Sequence, residues 1–462
     1  MNRAQAFTKR KVIISPNNQP SGNVYSSTTF PQIQFVLGSS PGLADFKTLR
    51  LNYTFQIKNT AGAPVENSPS TNTTPARNGM AVSNRVGSTN AFQQINISTM
   101  NGRNLETILN LNRYLATISP NQINQFDYLN TFQGQDPLLS TKSLGCCRQM
   151  NVPVEVSTPL RTGFLSNTTP INLSQKGIHG CVINILLDQN ANVIGPVEVI
   201  QQGTDGSQTT LEQAAGGSVS EGFQYQLSNV FLSYDVYVPN DQVYSSMPST
   251  GQITFNSINS MTSTLLASDQ TITLRTGLKN LISATHSTIP ATHLNNIKKN
   301  GMKLERLSIN STASVNGPPV ALNTAQFFKG GVLFPANTIL DSEAQGLTNP
   351  QSQIIQPALN SVTLNDNDHQ LLNPQTSVGL NNSAGFNVEQ KALSINQVPD
   401  PDSDFVLGVA TDTSQQGVDY SRQDYAIRLQ SGLNGGTPFQ FFSFFRARNV
   451  IQYNPMGVEV ME

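Results

Sequence analysis

Tryptophan is absent from this 462-residue chain, cysteine occurs three times and histidine four times. Each scarcity excludes something. Three cysteines, Cys146, Cys147 and Cys181, make no disulfide framework, so buried free thiols are expected. Four histidines leave little for imidazole metal sites. Without tryptophan, the aromatic platforms on which a sugar-binding surface stacks its ligand fall to eleven tyrosines. Charge is scarce too: Asp, Glu, Lys and Arg make 12% of the chain, about half the usual share, and the net charge is −1. That is too little basic surface to wrap nucleic acid through its phosphates. No run approaches the ~20 apolar residues of a membrane-spanning helix. The opening "MNRAQAFTKRKVIISP" lacks the continuous apolar core of a secretory signal, so sequons such as the one at Asn96 are expected to stay unglycosylated.

What is abundant is Ser, Thr, Asn and Gln, with 33 glycines and 26 prolines. Such residues favour turns and strand surfaces over helix interiors, because their side chains compete for backbone hydrogen bonds. The chain is not a disordered polar tract, since apolar runs recur along its length. "LRLNYTFQI" (49–57) alternates over nine residues, which predicts a strand. Strands are also predicted in 91–99, 179–188, 224–238, 251–258, 270–278, 404–411 and 425–432. Helices are few. A broad apolar stripe predicts one over 103–118; Ser119 and Pro120 resemble the start of another. A short helix is expected near 294–298. Polar stretches at 60–79, 201–222 and 341–400 read as long loops.

The chain repeats itself. "FQYQLSNVFLSYDVYVP" (223–239) and "FQFFSFFRARNVIQYNP" (439–455) both open Phe-Gln-aromatic, both close Tyr-x-Pro, and have equal length. "VYSS" occurs at 24–27 and at 243–246. The recurrence predicts two tandem β domains joined near 239–243. In this reading the five-phenylalanine run closes the second domain. It is apolar on both faces because it lies between a core and a neighbouring surface. Arg446 and Arg448 would mark where the strand emerges.

Candidate chemistry is sparse. His286 and His293 flank Pro290 in "HSTIPATH", so they do not share a helix face as a zinc pair would. His179 reads as a turn residue. Asp400, Asp402 and Asp404 have the spacing that opens a calcium loop, but Phe405 stands where its glycine belongs, leaving at most a weak cation site. The sequence predicts no catalytic residue, cofactor or metal centre. The basic residues Arg3, Lys9, Arg10 and Lys11 cluster in a Pro-broken N-terminal arm, read as docking on a neighbouring subunit or lying in solvent.

Three segments carry a family resemblance. They are "STPLRTGFLSNTTPINLSQKGIHGCVINILLD" (157–188), "YQLSNVFLSYDVYVP" (225–239) and the strand, Ser-rich turn, strand and Pro-His stretch of 254–296. The chain resembles the double jelly-roll major capsid proteins of tailless icosahedral double-stranded DNA viruses, in particular the Polinton-like virus and virophage branch. The resemblance implies an all-β fold of two tandem eight-stranded jelly-roll barrels with long insertions and a few short helices. The expected parts are an arm (1–22), a first barrel (23–240) and a second (241–462). It further implies a homotrimer whose six barrels form a pseudo-hexagonal tile of the virion shell. Neighbouring capsomers and minor capsid, cement or penton proteins would be its partners, and no sequence-specific nucleic acid would be. The alternative function is a lectin-like β-sandwich.

Overall fold

The structure is a computed structural model that describes residues 6–38, 42–59, 79–82, 88–122, 153–167, 169–174, 178–202, 208–213, 223–291, 302–304, 320–334, 339–341, 407–411, 416–431, 438–454 and 456–461. Arg3, Cys146, Cys147, His293, the predicted helix at 294–298, the loop at 342–400 and Asp400–Asp404 lie outside these residues.

The first half of the chain builds a sandwich. One sheet is β1 (Phe7–Ile14), β13 (Phe223–Pro239), β4 (Leu43–Asn59) and β8 (Val154–Thr158), in that order, with β2 (Val24–Tyr25) on β13 and β9 (Ile171–Asn172) on β4. The facing sheet is β3 (Gln32–Leu37), β10 (Cys181–Leu187), β6 (Phe92–Thr99) and β7 (Asn104–Leu109). The alternation in 49–57 places Leu49, Leu51, Tyr53, Phe55 and Ile57 in the core. On β10, Cys181, Ile183 and Ile185 do the same from the facing sheet. A separate three-stranded sheet joins β5 (Gly79–Val82), β11 (Ile194–Gln202) and β12 (Gln208–Gln213), so part of the predicted loop at 201–222 is a strand.

The second half repeats the arrangement. Its first sheet runs β14 (Gly251–Leu265), β23 (Phe439–Asn454), β16 (Leu281–Pro290), β21 (Leu407–Ala410), with β24 (Gly457–Met461) on β23. Its second runs β15 (Asp269–Leu274), β22 (Tyr425–Ser431), β18 (Val320–Lys329), β17 (Met302–Leu304), with β19 (Val332–Leu333) and β20 (Ile339–Asp341) on β18. In both halves the first strand pairs antiparallel with the last long strand (β13 or β23), and that strand with β4 or β16. Strands β13 and β23, which carry the sequence repeat, are therefore equivalent.

The structure revises three expectations. The N-terminal segment is not wholly an arm. Phe7–Ile14 pairs with β13 residue for residue and occupies the place that β14 takes in the second half. Val12 and Ile14 pack against the core, while Lys9, Arg10 and Lys11 are exposed, as suits a sheet edge. Deleting residues 1–14 should therefore lower the melting temperature of the folded protein, not merely remove a docking arm; thermal melts of the truncated and full chains check it.

The two "VYSS" copies are not equivalent. The first contributes β2, whereas the second closes a short helix, Asp241–Ser246, capped by Asn240. The helix predicted over 103–118 is a strand followed by a helix. Asn104–Leu109 pairs with β6, Asn110 turns at φ 56°, and α1 (Leu111–Gln122) then runs through Ser119 and Pro120 without restarting. The residues after 455 join the same sheet. β24 folds back on β23, and Val458 and Val460 pack on the core.

Candidate assembly interface

Two sandwiches in one chain hold a fixed arrangement only if the joint between them is packed. The joint is built from β7, α1 and the 160–167 turn of the first half, and from β14, β16 and β23 of the second. Strand β23 is buried on both faces. Phe439, Phe441, Phe445 and Ala447 enter the second core; Phe442 and Phe444 enter the core of the first. The neighbouring surface foreseen for the aromatic run is thus the chain's own first sandwich. Phe444 lies 5.3 Å from the Tyr114 ring on α1, and Phe255 meets Phe164 edge-on at 5.2 Å. Arg446 does not mark an exit to solvent. It is buried and hydrogen-bonds the Tyr114 hydroxyl in the joint.

Glu106 stands at the centre of this contact. It projects from β7, is buried, and accepts three backbone hydrogen bonds. Gly163 N–H donates at 3.0 Å and Phe164 N–H at 2.8 Å from the first half; Ile258 N–H donates at 2.7 Å from β14. Burial pushes its carboxyl up to about 7, and the backbone donors hold it from going further. Gly163 permits the approach, because a Cβ there would stand 1.6 Å from the Asn256 carbonyl oxygen. Two further bonds cross the joint: Leu109 N–H donates to Ser260 Oγ at 2.8 Å, and Asn167 Nδ2 to the Thr254 carbonyl at 3.2 Å. Sequence reasoning missed Glu106, since one carboxylate in "NLETIL" reads as the polar face of a helix.

The outer candidate surface is the β1 edge. Lys9 Nζ lies 2.8 Å from Asp235 on β13, which raises its pKa and ties it to its own sheet. Arg10 and Lys11 are exposed. Arg10 rims a cleft of about 210 Å³ walled by Val12, Ala44, Tyr234 and Val236. The structure thus places Lys9, Arg10 and Lys11 on one strand, with Lys9 already paired within the chain.

The remaining candidates are structural where described. His179 sits at φ 51° before Gly180 at φ 100°, in the turn entering β10. Cys181 is a buried thiol, and burial raises its pKa to about 12. His286 lies in the second core. Among the described residues no three His, Cys, Asp or Glu side chains are grouped to hold a metal ion, and no helix is long and apolar enough to cross a membrane.

No protein-family model and no curated protein matches the sequence. Solved structures do match the fold. The PBCV-1 virus capsid subunit aligns over 100% of this chain and 98% of its own, at 10% identity and a TM-score of 0.58. The Faustovirus major capsid protein aligns over 97% and 91%, again at 10% identity and 0.58. A chain of the Sputnik virophage structure aligns over 98% and 88%, at 8% identity and 0.50. At such identities the likeness is one of fold. The chain has the all-β, double jelly-roll architecture, and it spans nearly the whole length of each of these neighbours.

Proposed function

We propose that this protein is the major capsid protein of a tailless icosahedral double-stranded DNA virus. Three chains would close into a pseudo-hexagonal capsomer of six jelly rolls, and capsomers would tile the virion shell around the genome. The observation that carries this reading is the joint. Two topologically equivalent sandwiches are locked together by shared aromatic packing and a buried carboxylate, in a chain that aligns end to end with capsid subunits. A rigid pair of barrels supplies two of six corners, and a threefold axis supplies the rest.

The low charge supports the reading as well. Many identical copies pack side by side without self-repulsion, through neutral amide and hydroxyl contacts. Partners in this reading are other copies of the chain, with minor capsid, cement or penton proteins at special positions. The basic N-terminal residues Arg3, Arg10 and Lys11 would meet a neighbouring subunit, with Lys9 committed to Asp235. The division into a first barrel to about 240 and a second from 241 belongs to this proposal, with β1 counted in the first. No catalysis, cofactor or sequence-specific nucleic-acid binding is assigned to the chain. The virophage branch is favoured by the quoted segments.

Immunogold labelling tests the assignment. Antibodies to this chain should decorate the whole surface of intact icosahedral particles in electron micrographs. Label confined to fibres, together with saccharide binding on a glycan array, would instead support the lectin-like reading.

A further inference from the structure

The second sandwich holds a titratable group that the assembly reading does not use. His286 projects from β16 and is fully buried. Its Nδ1 lies 2.9 Å from Ser443 Oγ on β23, and its Nε2 lies 2.8 Å from the Tyr425 hydroxyl on β22. The ring thereby ties together the two facing sheets. It stacks on Phe441 at 5.2 Å and Phe327 at 6.1 Å, and Phe445 meets it edge-on.

The neutral ring satisfies both hydrogen bonds, one as donor and one as acceptor. A neutral imidazole has one donor and one acceptor nitrogen, so one hydroxyl receives a bond and the other gives one. An imidazolium has two donors. The hydroxyl that had donated to the ring would have to turn its hydrogen away and accept instead.

Among the described residues no acidic side chain contacts the ring to compensate a positive charge. Strand β16 carries no other charged residue, and β21 carries none. Strand β22 contributes Tyr425 and, at its exposed part, Arg428, which is bound to Asp269 of β15. Strand β23 contributes Arg446, on its opposite face, and Arg448. From β18 comes Lys329, which lies over the Phe334 and Tyr420 rings. Among the described residues no carboxylate faces the imidazole from the strands packed against it.

We propose that His286 is an acid-sensitive pin between the two sheets of the second sandwich: one proton taken up there loosens that sandwich. Burial lowers the imidazole pKa from its ordinary value near 6.5 to about 3. The sign follows from linkage. The unfolded chain binds the proton below 6.5 and the folded chain does not until about 3, so stability falls as pH drops through that window.

The test is the urea unfolding equilibrium of the full chain and of His286→Gln, each at pH 7 and pH 4.5. Glutamine can give one bond and accept one, but it does not titrate. Other groups titrate in both proteins and cancel. The unfolding constant of the wild type, relative to the variant, should rise roughly fiftyfold to a hundredfold between the two pH values. A ratio that stays within a few-fold overturns the proposal.

Should His286→Gln fail to fold, deuterium exchange at the imidazole C2 of the wild-type chain, followed by mass spectrometry, decides the matter. His286 should exchange slowly, with no titration midpoint between pH 7 and 4.5. A midpoint near 6.5 in the folded protein overturns the pin.

Discussion

Phe441→Ala is expected to cost about 3–5 kcal/mol of folding stability, the range for emptying a fully buried phenylalanine site. Phe441 is 0% exposed and packs on His286 and the second core. Phe444→Ala should cost a similar amount for a different reason, since its ring packs on Tyr114 of the first half. The equivalent change on β13, Tyr225→Ala, should be as severe. Its ring stacks on Phe55 at 5.9 Å, and its hydroxyl donates to the Asp188 carbonyl. Thermal melts of the purified variants check all three. Unchanged melting temperatures for both phenylalanine variants would mean that the aromatic run is a surface patch rather than a closing strand.

The second large effect is at the joint. Glu106→Leu should destabilise the protein by several kcal/mol, because it leaves three buried backbone donors unpaired, at about 1–3 kcal/mol each. Glu106→Gln should be milder. Its amide oxygen can take the two bonds that Oε1 receives, from Gly163 and Ile258, while its NH₂ faces the Phe164 N–H as donor against donor. Denaturant unfolding of both variants measures the difference. Equal stability of the leucine variant and the wild type would show that the carboxylate does not hold the two halves together.

The sequence made the inside of each sandwich legible, because strands announce their buried face by period. Tyr53 and Phe55 on β4 stand where alternation puts them. The doubly apolar β23 was legible too, along with its equivalence to β13. What stayed hidden was of two kinds. Edge strands carry charges that blunt their exposed side, so "FTKRKVII" reads as a basic tail although Val12 and Ile14 reach the core. The joint was hidden because its parts are distant in sequence. Glu106, Gly163 and Ile258 meet only once both sandwiches have formed, and none of the three carries a local signal. The coincidence of "VYSS" misled for the opposite reason: four identical residues are a strand where β13 offers an edge and a helical turn where Asn240 caps one. Two of those residues then lie in the first sheet, and all four of the other copy lie between the halves.

In the proposed capsomer the two-barrel chain closes in threes. Multi-angle light scattering of the purified full-length protein at micromolar concentration tests it most directly. A single species of about three times the 50.0 kDa chain mass is expected. A clean monomer or dimer under those conditions would contradict it.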